Sequence, residues 1–156
     1  MSVVHGSSLL LDTDVLIDYL RSRPEAVTYI ESLTEPLMMS AITLAELYAG
    51  VRDGAERTAL DAFVRAFVVL AINDDVAVKG GLNRRDYGKT YGVGLADALI
   101  AATAEVYKVT LVTLNDKHFP MLDDRSCRTI NRSVARPKCW GDIRRNSGKC
   151  FRELLA

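Results

Sequence analysis

Four acidic residues stand where a short apolar run gives way to a helical pattern. Asp12 follows Leu9-Leu10-Leu11, Glu46 comes after Leu37-Met38-Met39-Ser40, Asp97 after Gly92-Val93-Gly94, and Asp116 after Leu111-Val112-Thr113-Leu114. If the runs are strands of a parallel sheet, the junctions lie along one edge and bring distant side chains together. Carboxylates gathered in one cleft raise each other's pKa values and oppose folding unless a cation joins them. Oxygen ligands without accompanying His or Cys favour Mg²⁺ or Mn²⁺ over Zn²⁺. A water on such an ion can attack a phosphodiester while the ion neutralises charge on the phosphate. The chemistry to look for is therefore metal-dependent phosphoester hydrolysis.

Each acid also has an ordinary explanation. Asp12 suits an N-cap, Thr43 and Glu46 match the capping-box spacing, and Asp97 falls in a first helical turn, where the macrodipole favours negative charge. Asn115-Asp116 suits the opening of a short helical turn. What separates the two readings is how many of the acids share one cleft. Asp14 and Asp18, two and six residues beyond Asp12, are expected to be solvated surface charges. Asn73-Asp74-Asp75 follow another apolar run, and a place at the sheet edge would remove them from the site.

The elements that must position these residues alternate as strand and helix, which argues for an α/β domain with a mainly parallel sheet. Expected strands are Leu9 to Leu11, Leu37 to Ser40, Phe67 to Ile72 and Thr110 to Leu114. Expected helices run from Thr13 to Arg21, from Pro24 through Leu33, from about Leu44 to Gly54, around Leu60 to Val64, and from Asp74 to Tyr87. Gly80-Gly81 weaken the last of these. Glycines 88, 92 and 94 mark a loop before the clearest helix, whose buried face is expected to carry Leu95, Leu99, Ala102 and Val106.

The chain has 156 residues, 49% hydrophobic and 26% charged, which suits one globular domain. Its longest apolar run, Ala66 to Ile72, is far short of the roughly 18 residues that span a bilayer, and the first basic residue is Arg21, so neither membrane span nor secretory start is expected. A cytoplasmic location follows as the expectation. The net charge of zero conceals an asymmetry: residues 1 to 124 hold 18 acids and 11 basic residues, a net −7, and residues 125 to 156 hold 2 acids and 9 basic residues, a net +7. Cys127, Cys139, Cys150 and the sole tryptophan, Trp140, also lie in that second stretch. With few apolar residues to bury, it reads as a poorly ordered basic tail without a packed element. A zinc site from Cys127, Cys139, Cys150 and His118 has poor ligand spacing.

The body resembles the PIN-domain ribonucleases, specifically VapC-type toxins of toxin–antitoxin pairs. The matching stretches are Leu9 to Ile17, Ser40 to Leu47, Leu95 to Ala104 and Leu111 to Asn115, in order and in context, over roughly residues 9 to 124. The resemblance implies a three-layer α/β/α sandwich around a parallel sheet, Mg²⁺- or Mn²⁺-dependent cleavage of RNA, a homodimer, and a cognate VapB-type antitoxin seated near the active site. Asp12, Glu46 and Asp97 look like its metal-binding acids. Many members carry an acid where this chain has Asn115. Asp116, or a water held by Asn115, is then the favoured fourth ligand, with Thr113 as a hydrogen-bonding neighbour. Arg84, Arg85, Lys89 and Lys117 are candidate phosphate contacts.

Two rivals stand beside this reading. Asp12-Thr13-Asp14 after a strand also resembles the DxD pair of haloacid-dehalogenase-like phosphatases, although that assignment gives Glu46 and Asp97 no task. A PIN-fold module that binds without cutting is the other.

Overall fold

The computed structural model describes residues 8–130. Five parallel strands form one sheet: β1 (Leu9–Leu11), β2 (Leu37–Ser40), β3 (Val68–Leu70), β4 (Thr110–Thr113) and β5 (Cys127–Thr129), in the order β3-β2-β1-β4-β5. Between them lie α1 (Thr13–Leu20), α2 (Pro24–Glu31), α3 (Ala41–Ala49), α4 (Ala55–Val64), α5 (Asp74–Tyr91) and α6 (Leu95–Tyr107), with a 3-10 turn at Asp116–His118.

The sheet separates two apolar layers, as a strand's alternating side chains require. Leu9, Leu11, Met39 and Val112 point into one, against Val15, Leu16 and Leu20 of α1, Ile30 of α2, Leu47 of α3 and Leu60 of α4. Leu10 and Leu111 point into the other, against Ile100, Ala101 and Ala104 of α6 and Phe119. β1 is central and covered on both faces, so all three of its leucines are fully buried. This is the expected α/β/α sandwich.

Connectivity explains where a site forms. From β1 the chain steps outward through β2 to β3, then returns across the sheet to β4 on the other side of β1. The direction of winding reverses between β1 and β4, which opens a crevice beyond their carboxyl ends. Asp12 follows β1 directly, and Leu114 and Asn115 follow β4. Because β3 is an edge strand, Asn73 to Asp75 fall outside that crevice; the Asn73 side chain instead caps α5, accepting from Val76 N–H at 3.0 Å.

Several local expectations are corrected. α5 runs unbroken to Tyr91 and ends at Gly92, whose φ of 69° is left-handed, so the loop is only residues 92 to 94 and Gly88 is helical. Gly80 does not weaken the helix so much as permit it to pack: a Cβ there would stand 2.4 Å from Leu99 Cδ2 of α6. α6 is wedged between the sheet and α5, so its small residues Ala98, Ala101, Ala102, Thr103 and Ala104 are buried nearly all round, while Leu95 is 55% exposed. β5 was not expected at all. Its residues bond to β4, and Ile130 N–H continues the ladder to Thr113 O at 3.0 Å, so the sheet runs past Asp124. A polar strand with the pattern Cys-Arg-Thr carries little apolar signal because it lies at an edge. Residues 131–156, including most of the expected tail, lie outside the described residues. No described helix is long and apolar enough to cross a membrane.

Candidate active site

Asp12 is the anchor. Its backbone N–H is still in the ladder, donating to Val112 O at 2.9 Å, while its side chain has turned to cap α1. Oδ1 accepts from Thr13 N–H at 2.8 Å, and Oδ2 accepts from the Thr113 hydroxyl at 2.8 Å. Burial raises the Asp12 pKa well above the usual carboxylate range and the Asp14 charge adds to the shift, while the bonds from Thr113 and Thr13 oppose it. A cap is thus one part of what Asp12 does, and it does not account for a carboxylate held in so unfavourable a setting.

Glu46 sits inside α3, not at its start. The cap of that helix is Ser40, whose Oγ accepts from Ile42 N–H at 3.0 Å and Thr43 N–H at 3.3 Å, so the expected Thr43–Glu46 capping box is not formed. Glu46 is thereby free to turn toward α1, where Oε2 accepts from the Thr13 hydroxyl. Thr13 Oγ1 also lies 3.1 Å from Thr43 Oγ1, joining the two helix starts. Burial is the main cause raising the Glu46 pKa; the charges of Asp97 and Asp14 raise it further, against the bond from Thr13.

Asp97 lies in the first turn of α6, behind Gly94 at the N-cap. Burial pushes its pKa up, and the His118 ring pulls the other way, with Nδ1 3.5 Å from Asp97 Oδ2. The other ring nitrogen, Nε2, lies 3.0 Å from Asn115 Nδ2.

These influences tie together acids from the end of β1, the body of α3 and the first turn of α6. Asp14, expected to be a solvated surface charge, belongs with them. It acts on both Asp12 and Glu46, and its Oδ2 accepts from Leu114 N–H at 3.3 Å, bridging α1 to the end of β4. Asp18 also departs from expectation, being only 4% exposed. The signal for Asp14 was its place in the first turn of a helix that starts at the sheet edge, where side chains still overhang the crevice.

Asp116 is placed differently. It is exposed on the 3-10 turn and is not among the charges that shift Asp12, Glu46 or Asp97; its influence falls on Cys127, whose half-buried thiol is pushed up to about 11, first by burial. Asn115, one residue earlier, is nearer the cluster through Thr113, whose hydroxyl oxygen accepts from Asn115 N–H at 3.1 Å. Of the candidate phosphate contacts, Arg85 is exposed and paired with Asp86 at 2.7 Å, and Arg84, Lys89 and Lys117 are exposed. Cys139 and Cys150 of the zinc alternative lie outside the described residues.

The donor set suits a hard cation by chemistry: all oxygen, with Asp12 buried and Glu46 and Asp97 half-buried, and with the Asp97 charge raising the Glu46 pKa where the two face each other. Among the described residues no group of three or more His, Cys, Asp or Glu side chains is arranged to hold a metal ion by itself. An ion that takes one or two carboxylates and completes its shell with water is the kind these residues could accept.

Comparison with known proteins agrees with this fold. A family model described as PIN domain matches residues 9–124. Ribonuclease VapC19 of Mycobacterium tuberculosis is 40% identical over 119 residues, covering 74% of this chain and 94% of that protein. Ribonuclease VapC10 of the same organism is 38% identical over 118 residues, covering 74% and 88%. Among solved structures, a toxin-antitoxin complex from Klebsiella pneumoniae superposes with a TM-score of 0.70 at 28% identity, covering 81% of this chain and all of that one. The chain belongs to the PIN domain family, in its VapC branch.

Proposed function

We propose that this protein is a metal-dependent endoribonuclease that hydrolyses RNA phosphodiester bonds and serves as the toxin of a VapBC-type pair. The observation that carries the proposal is the convergence of Asp12, Glu46 and Asp97 at the switch point between β1 and β4. Burial raises all three, and neighbouring acids act on Asp12 and Glu46 as well. The nuclease reading gives all three acids a common task, which the phosphatase reading does not.

One or two carboxylates among Asp12, Glu46 and Asp97 would hold the ion, Mg²⁺ or Mn²⁺, with water completing its shell and Asp14 rather than the exposed Asp116 as the nearest further acid. When bound, such an ion activates water and neutralises charge on the phosphate. The protein's own part is to hold the carboxylates ready. Thr113 and Thr13 fix both oxygens of Asp12, Thr13 fixes Glu46, and His118 stands against Asp97. Hydrolysis adds water across a P–O bond and leaves one phosphate-ended and one hydroxyl-ended strand.

The relatives named as ribonucleases support the activity, and the toxin-antitoxin complex among the solved neighbours supports a cognate VapB-type antitoxin as partner. A homodimer and a cytoplasmic location complete the proposal. Purified protein incubated with labelled RNA should cut it with Mg²⁺ or Mn²⁺ and stop on chelation, and Asp12→Ala or Asp97→Ala should abolish cutting. Cleavage undiminished in both variants would show that the activity belongs to another site or another protein.

A further inference from the structure

Of the three central acids, Asp97 stands on the least secured ground. Asp12 is held through both carboxylate oxygens and Glu46 through Oε2, by groups of α1 and β4. The helix that carries Asp97 begins at Gly94 with no side-chain cap, just after the left-handed Gly92. What meets the Asp97 carboxylate is a side chain from another element, His118.

His118 is brought there by its neighbour in sequence. Phe119, 2% exposed, packs with Ile100, Ala101 and Ala104 of α6, and its N–H closes the 3-10 turn on Asp116 O at 2.8 Å. The turn is thereby seated on the same helix whose first turn bears Asp97. Nδ1 of His118 faces Asp97 Oδ2 at 3.5 Å, and Nε2 lies 3.0 Å from Asn115 Nδ2. Asn115 is fixed in turn: its N–H donates to Thr113 Oγ1 at 3.1 Å, and that hydroxyl donates to Asp12 Oδ2 at 2.8 Å. Four consecutive polar contacts, none longer than 3.5 Å, thus run from the acid after β1 to the acid in the first turn of α6. Contacts chained in this way reinforce one another. An amide brings no charge to neutralise a cation, and the Asn115 amide is turned to His118.

We propose that Asn115 and His118 are positioning residues, a bracket that sets the separation of Asp12 and Asp97 for a divalent cation without either of them binding the ion. This rests on the metal-dependent nuclease reading above. Groups that hold a metal-ligating side chain in place typically change metal affinity or activity by about 10- to 100-fold when they are removed.

Mn²⁺ binding to the full chain without RNA, followed at pH 8 by the EPR signal of the free ion, measures the bracket apart from catalysis. His118→Phe keeps a ring beside Phe119 and removes both nitrogens, and it should weaken Mn²⁺ binding about tenfold. Asn115→Ala should do the same, and the double variant should bind no more weakly than either, because both changes break one chain of contacts. His118→Gln, which offers an amide N–H and a carbonyl oxygen in place of the two ring nitrogens, should recover most of the loss. The His118 side chain is 57% exposed, so metal-free melting should match wild type. In RNA cleavage, His118→Phe should be slow at limiting Mn²⁺, recover at high Mn²⁺ and keep its KM for RNA. Unchanged Mn²⁺ affinity in His118→Phe overturns the proposal, and a raised KM for RNA beside it would make His118 an RNA contact instead. Losses that multiply in the double variant would make Asn115 a ligand in its own right, and a loss that tracks a lowered metal-free melting temperature would make the contacts merely structural; each overturns the bracket. The two readings fail separately: bracket-dependent Mn²⁺ binding without any cleavage sinks the nuclease, and Mn²⁺-dependent cleavage indifferent to both variants sinks the bracket.

Discussion

Replacing Thr113 by Val swaps a hydroxyl for a methyl at a fully buried position and leaves the shape almost unchanged. Two bonds disappear: the one donated to Asp12 Oδ2 at 2.8 Å and the one accepted from Asn115 N–H at 3.1 Å. A hydrogen bond to a charged group is worth ~1.5–3 kcal/mol and a neutral one ~0.5–1.5 kcal/mol. With the Asp12 carboxylate ionised, the variant should therefore lose about 2–4 kcal/mol. The Thr113 bond is the leading influence holding the Asp12 pKa down, so without it the pKa rises further. At lower pH, where Asp12 is protonated in both proteins, both lost bonds are neutral and the loss falls to about 1–3 kcal/mol. Urea unfolding of the metal-free protein as a function of pH measures both losses, and Thr113→Ser should recover most of each. A loss that stays the same across the pH range in which the protein's stability titrates would refute the claim that Thr113 supports an ionised Asp12.

The same shifts set the pH dependence of the metal-free wild type. Asp12, Glu46 and Asp97 all have folded pKa values raised above the ordinary 3.8 and 4.5, so the stability they contribute is full below those values and is lost as pH rises through the folded ones. Unfolding free energy should fall as pH rises above about 4, and saturating Mg²⁺ should flatten the decline; exposed pairs such as Arg57–Asp61 are too screened to reverse it. Asp12→Asn, which removes one buried charge, should be more stable than wild type at pH 8 without metal, as thermal melts would show; equal or lower stability contradicts the account. On the α5–α6 contact, Gly80→Ala should destabilise by ~1–3 kcal/mol through overpacking against Leu99, while Gly81→Ala, with open space around it, should stabilise by ~0.5–1 kcal/mol; urea midpoints of the same sign would be inconsistent with the packing. Asp14→Ala should impair cleavage far more than Asp116→Ala, and initial rates on one RNA decide between them.

Much of this was legible because short apolar runs that hand over to a helical pattern mark strand ends whatever their partners. Leu9 to Leu11 and Leu37 to Ser40 could be bounded to the residue from that pattern. What escaped depended on neighbours in space. Asp14 reads as a surface charge until α1 is seen to start at the crevice, and the Thr43–Glu46 spacing fits a capping box that Ser40 had already made unnecessary. Leu95 fits a helical stripe, yet α6 buries its alanines instead because it is covered on two sides. β5 had no apolar run to announce it, since an edge strand can be held by backbone bonds alone.

The central claim is that Asp12 and Asp97 serve one reaction centre, and a double-mutant cycle on RNA cleavage tests it most directly. Each of Asp12→Asn and Asp97→Asn should lower kcat/KM by about a thousandfold or more, and the double variant should be little worse than either, as for groups that act as a unit. A double variant whose loss equals the product of the single losses would contradict a shared centre.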